Sequence, residues 1–136
     1  MEQTQQKEQE RMTEEERIEG ARNFLCGYQL CVDMLNLRGY ERKRAARFDD
    51  PCTCDELLSG NEATWRARMF AVSALVGEMR NGREKLMIYY HYIRGESIEH
   101  TANLLDVSRR TGYRIHERGL RSFSFLYERM MRNRRI

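Results

Sequence analysis

The chain has a single proline, Pro51, and no alternating apolar–polar run of the kind a half-buried strand requires, so helices are expected throughout. Long apolar runs are absent as well: none approaches the roughly 18–20 residues that span a bilayer, and no membrane segment is expected. The opening MEQTQQKEQERMTEEE is polar and acidic and lacks the apolar core of a signal peptide, which points to a cytoplasmic location. Residues 1–13 carry only Met12 as an apolar anchor after the start and read as a disordered tail. Catalytic signatures are missing too. There is no phosphate-cradling glycine loop, no nucleophile elbow and no HExxH pair. His91, His100 and His116 are scattered at helical positions and read as surface or capping side chains, so no enzyme is expected.

Cysteine is sparse and poorly arranged for a metal. Cys52 and Cys54 form one CxC pair, whereas Cys26 and Cys31 lie five apart in a helical stretch, a rotation of about 140° that points them to different faces. A structural zinc site needs two closely spaced ligand pairs, and only one exists here. The thiols read as small buried or half-buried side chains in a reducing compartment, with no metal and no other cofactor.

The charge is abundant and unevenly distributed. Residues 1–82 hold 12 Lys/Arg against 15 Asp/Glu, a net of −3, and residues 83–136 hold 12 against 6, a net of +6. The overall +3 therefore conceals a basic C-terminal part, the distribution of a nucleic-acid-binding module joined to something differently employed. The competing reading is a pair of merely solvated faces.

Two heptad-like seams occupy the acidic half. Ile18, Ala21, Leu25, Tyr28, Val32 and Leu35 recur at alternating steps of three and four, and Leu58, Trp65, Met69, Val72, Val76 and Met79 form a second seam interrupted by Glu62. Each stripe is too narrow to be buried alone, so the two helices are expected to pack on one another, within one chain or across a dimer. Residues 14–81 thus read as a helical hairpin and dimerisation region. The stretch 38–56, where Arg38, Arg42, Lys43, Arg44 and Arg47 precede Asp49, Asp50 and Pro51, is expected to be a long connection, or a helix extension followed by a loop. Asn81-Gly82 is a strong breaker and is taken as the domain boundary, leaving 82–136 as the second unit.

Beyond that breaker the pattern tightens. Leu86, Met87, Tyr90 and Ile93 fall at helical spacing, Gly95 ends the segment, and Ser97 is a good N-cap for a helix burying Ile98, Thr101 or Ala102, and Leu105. Asp106-Val107-Ser108 reads as a turn, with Ser108 capping a helix whose first turn holds Arg109 and Arg110. Cations at a helix N-terminus oppose the macrodipole, typically by a few tenths of a kcal/mol each. Two of them make poor sense for stability and good sense against phosphates or guanines. Leu120, Phe123, Tyr127 and Met130 then continue as an apolar stripe that reads as core or dimer contact.

Residues 83–126 resemble the fourth region of bacterial sigma factors, a helix-turn-helix that reads a promoter element. The resemblance is carried by YIRGESI, by the alanine of HTANLL, by DVS, by Ser108 and Thr111 three apart, and by Arg118-Gly119-Leu120. In layout the chain is most similar to small phage and prophage regulators of the ArpU type, which carry such a module behind a helical N-terminal part. Three positions depart from the family pattern: His100 replaces an acidic residue, Thr101 an aliphatic one, and Gly112 an apolar or aromatic one. Gly112 is expected to mark either a close-packing point or a weak spot, since glycine inside a helix costs about 1 kcal/mol relative to alanine.

The resulting expectation is an all-α chain, an N-terminal helical hairpin followed by a C-terminal sigma region-four-like helix-turn-helix. With Ile115 and Leu120 inward, Arg109, Arg110, Tyr113, Arg114 and Glu117 face away from the core. The DNA-binding set is expected to be Ser108, Arg109, Arg110, Thr111, Tyr113, Arg114, Arg118 and Arg121. The early arginines suit base edges in the major groove, Tyr113 a thymine methyl or a phosphate, and Arg118 and Arg121 phosphates. The partner is double-stranded DNA, with RNA polymerase a further candidate, and a homodimer is expected because a lone three-helix unit makes few base contacts. Three functions fit: a phage-type transcriptional regulator, a packaging protein akin to a small terminase subunit, or a module that docks on RNA polymerase. Packaging proteins usually carry the DNA-binding part first, and here it comes last, which favours regulation.

Overall fold

The computed structural model describes the backbone of residues 13–47 and 54–134, and the side chains of 13–39 and 62–133. Among these residues every regular element is helical. Helix α1 spans Glu14–Arg47 and α2 spans Cys54–Glu78; α3, Gly82–Ile88, runs directly into a π-helical stretch, Tyr89–Ile93; α4 spans Ile98–Leu104 and α5 spans Arg109–Arg134. No described helix is long and apolar enough to cross a membrane.

The helix starts follow from their sequences. Thr13 and Glu16 form a reciprocal capping box at the head of α1: the Glu16 amide donates to Thr13 Oγ1 at 3.2 Å and the Thr13 amide donates to Glu16 Oε2 at 3.3 Å. Glu14, Glu15 and Glu16 fill the first turn, where carboxylates complement the helix dipole. Asn81 caps α3 by accepting from the Glu84 amide at 3.1 Å, so the breaker seen in the sequence is the cap of the next helix. Lys85 reaches back and donates to the Gly77 carbonyl at 2.9 Å, satisfying an otherwise orphaned group in the last turn of α2.

The stretch 38–56, expected as a connection or as a helix extension followed by a loop, is helical over 38–47 and again from Cys54; residues 48–53, like the tail 1–12, lie outside the described residues. The reason lies in ERKRAAR: arginine, lysine, alanine and glutamate are strong helix formers with no breaker among them, so the first helix simply continues.

A single core crosses the position taken as a domain boundary. Ala21 and Leu25 of α1, Val72, Leu75 and Val76 of α2, Met79, Ile88 of α3, Tyr92 of the π stretch, and Leu120 and Phe123 of α5 form one buried cluster. Ile18, Phe24, Tyr28, Leu126, Tyr127 and Met130 pack around it. Phe24 links the halves most directly, its ring 6.4 Å from Phe123 and 5.1 Å from Tyr127. The apolar stripe at the end of α5 is thus covered by α1 and α2 of the same chain. Helices α1 and α2 clasp the C-terminal helices and share their core.

Candidate nucleic-acid interface

Helices α4 and α5 form the pair that carries the expected site residues. Ser97 caps α4, accepting from the His100 amide at 3.0 Å. Thr101, polar where the resemblance implies an aliphatic residue, is fully buried and donates its hydroxyl to the Ser97 carbonyl at 2.8 Å. Its polar atom is satisfied within its own helix, which makes burial tolerable. The turn after α4 closes as a Schellman motif: the Val107 amide donates to the Ala102 carbonyl at 3.0 Å and the Asp106 amide to the Asn103 carbonyl at 3.1 Å. Asp106 takes the left-handed conformation this motif needs, with φ of 57°. Ser108 then caps α5 by accepting from the Thr111 amide at 3.2 Å, while its hydroxyl donates to Thr111 Oγ1 at 2.9 Å.

Gly112 is a point of close approach. A Cβ placed there would lie 2.6 Å from Ala102 Cβ, far inside contact distance. Only glycine lets α5 cross α4 this closely, and this crossing sets how far the start of α5 projects. Gly119 has a similar role one face along, 3.0 Å (for an added Cβ) from Ile88 Cγ1 of α3. Ile115 and Leu120 are buried between these two contacts.

On the opposite side Arg109, Arg110, Tyr113, Arg114, Arg118 and Arg121 are all exposed, as is Glu117. Steps of four and seven return to nearly the same side of a helix, so Arg110, Arg114 and Arg121 share a line, with Arg118 flanking it. Two of the exposed arginines are occupied, one of them off this line. Arg109 pairs with Glu99 of α4 at 2.9 Å and lies 6.0 Å from the Tyr113 ring centroid. Arg121 pairs with Glu14 of α1 at 3.0 Å. Arg110, Arg114 and Arg118 make no ion pair among the described residues. Ser108 and Thr111 are engaged with each other in the cap. The eight expected residues thus divide into capping groups, two arginines held by glutamates, and four side chains open to solvent.

Behind the basic side lies a polar contact that the sequence did not reveal. The Tyr92 hydroxyl is 2.7 Å from His116 Nε2, joining the π stretch to α5. Burial pushes the Tyr92 hydroxyl up to about 12, with the nearby Cys26 adding to the rise and Arg22 opposing it, so it stays protonated and donates. Burial also pushes His116 down to about 4, helped by His91 and Arg22, so the imidazole is neutral and accepts. The His91 ring lies edge-on to His116 at 5.3 Å, and its Nδ1 is 2.7 Å from the Glu96 carbonyl, which requires the proton on Nδ1. From α1, Gln29 donates to the carbonyls of Tyr92 and Ile93 at 3.2 and 2.6 Å, serving groups at the end of the π stretch. His116 is therefore a partly buried structural acceptor, not the surface residue its position suggested.

No group of three or more His, Cys, Asp or Glu side chains among the described residues is placed to hold a metal ion. Cys26 is exposed and Cys31 buried, both as free thiols, while the side chains of Cys52 and Cys54 lie outside the described residues. Comparisons with protein families, with curated proteins and with solved structures give no match.

Proposed function

We propose that the protein is a sequence-specific, DNA-binding transcriptional regulator of phage or prophage type that reads the major groove of double-stranded DNA with residues 108–120. The observation that carries this reading is the set Arg110, Arg114 and Arg118, exposed and unpaired on one side of a helix whose other side is locked to the core through Gly112, Ile115 and Leu120. Unpaired cations on a rigid helix meet the requirement for base readout, because arginine offers a bidentate fork to guanine O6 and N7. By the helical rise, Arg110 and Arg121 are about 16 Å apart along the axis. The major groove is roughly 12 Å wide, so a helix seated by Arg110 and Arg114 carries Arg121 to the flanking phosphates. RNA polymerase is a further candidate partner on the strength of the sigma-like motif alone.

Two heads act together in this reading, as a homodimer on half-sites about one helical turn, or a multiple of it, apart. Since the inner seams of α1 and α2 are filled within one chain, their pairing surface lies outside those seams.

The test is selection of bound sequences from a random DNA pool. The expected product is a divided, two-fold site; Arg110→Ala and Arg114→Ala then each lose about 1–3 kcal/mol and relax preference at particular base pairs. Recovery of no preferred sequence, or variants that bind the selected site as the parent does, overturns the reading.

A further inference from the structure

We infer that Glu14 is an internal competitor for the DNA backbone: its carboxylate occupies Arg121 in the place a phosphate oxygen would take, and so lowers affinity for every DNA sequence alike. This rests on the proposed DNA-binding reading and adds a second function to the first turn of α1.

The geometry holds the carboxylate on the basic side of α5. Glu14 Oε1 is 3.0 Å from Arg121 Nε. The turn that carries it is fixed from two directions. The Thr13–Glu16 capping box sets the start of α1, and Arg17 donates from Nε to Ser124 Oγ at 3.0 Å while its guanidinium lies 3.9 Å over the Phe125 ring. Ser124 is fully buried and donates in turn to the Arg121 carbonyl at 2.6 Å, so the anchor and the target arginine belong to one turn of α5. A carboxylate on a free tail would sample many positions; this one is seated.

Both members of the pair are more than half exposed, which makes its net contribution to folding small. Its consequence for binding is larger, because phosphate contacts depend on the number of counterions released. An arginine already paired with a carboxylate neutralises no phosphate and so releases no counterion from the DNA, and the carboxylate itself repels the incoming phosphate. Glu14 thus damps the sequence-independent part of binding while Arg110 and Arg114, unpaired and 7 to 11 residues away along α5, are untouched. Glu99 holds Arg109 in the same manner.

The experiment is a salt titration of DNA binding, using a selected site and an unrelated duplex, for the parent, Glu14→Gln, Glu15→Gln and the double variant Glu14→Gln with Arg121→Gln. Glu15 shares the acidic first turn but makes no ion pair among the described residues. Glu14→Gln is expected to bind both duplexes about two- to fivefold more tightly, the range open to an exposed pair. Its salt dependence should steepen by about 0.9 in the log–log slope, one additional phosphate contact. Both gains should vanish in the double variant, and thermal unfolding of each variant shows whether the fold is kept. Equal effects of Glu14→Gln and Glu15→Gln would overturn the inference in favour of general charge, as would an unchanged Glu14→Gln. A parent that binds no DNA would instead remove the DNA-binding reading on which the inference stands.

Discussion

The two halves of α5 have the same periodicity and different surroundings. From Arg109 to Gly119 the helix packs against α3, α4 and the π stretch on one side, through Gly112, His116 and Gly119, and presents its arginines to solvent on the other. From Leu120 onward it is clasped by α1 and α2, with Phe123 and Ser124 fully buried and Phe24 stacked against Phe123 and Tyr127. One continuous helix is therefore exposed along its arginine side at its N-terminal end and anchored in the core at the other. Helices α1 and α2 share that core. A free-standing head would need its own core, and here Ile88, Tyr92 and Leu120 of the C-terminal part lie in one cluster with Leu25 and Val72.

The strongest way to break this comparison is to place a charge where the clasp meets the helix. Leu25 and Val72 are fully buried. Leu25→Asp or Val72→Asp leaves an unpaired carboxylate in the core, expected to cost more than about 4 kcal/mol, with the loss of packing added. Because the core is shared, circular dichroism should show the whole chain losing its single cooperative transition. A variant whose residues 82–136 remain folded and bind DNA normally would show that the head is independent of the clasp.

A smaller substitution tests the N-terminal half of α5 by itself. Gly112→Ala should gain about 1 kcal/mol of helix propensity but force a Cβ to within 2.6 Å of Ala102 Cβ. Overpacking of this kind typically costs about 1–3 kcal/mol, so a net loss of about 1–2 kcal/mol is expected. Ala102→Gly in the same chain should recover part of it, a coupling that a double-mutant cycle measures. Gly77→Ala is the contrast, since nothing lies within 4 Å of the added Cβ there, and it should be neutral or slightly stabilising. If Gly112→Ala stabilises like Gly77→Ala, the close crossing of α4 and α5 is not a constraint.

What could be read in the sequence was local. The capping roles of Ser97 and Ser108, the end of the helical segment at Gly95, and the inward positions of Ile115 and Leu120 follow from residue type and helical period, and the structure has each of them. Gly112 was flagged as a close-packing point or a weak spot, and the contact with Ala102 decides for the former. What could not be read depends on partners far apart in the chain. Arg121 looks like any exposed arginine until α1 brings Glu14 beside it, and Arg109 likewise until Glu99 is placed. The stripe Phe123–Tyr127–Met130 signals that it needs cover without signalling which helix supplies it, so a dimer and an intramolecular clasp were equally compatible with it. The sequence left the extension of α1 through 38–47 open against a connection, because a run of basic residues is both a good helix and a plausible loop.

The mildest test concerns the contact between the π stretch and α5, where His116 accepts from Tyr92. An imidazole held down at about 4 in the folded chain, against an ordinary 6.5, binds fewer protons folded than unfolded between those values. Stability therefore rises with pH across that window. The contribution is fully present above about 6.5, is lost progressively as pH falls, and is gone below about 4, where both states are protonated. Since the ring is partly exposed, solvent screening limits the effect to on the order of 1–2 kcal/mol. Urea unfolding at a series of pH values should show this decline in the parent. His116→Gln keeps an acceptor for the Tyr92 hydroxyl but cannot titrate, so its stability should fall less over the same range while its neutral-pH stability changes little. The carboxylates contribute their own slope below about pH 5 and are common to both proteins, so the difference between the two curves isolates the imidazole. Parallel curves would mean that His116 is as accessible to protons in the folded chain as in the unfolded one.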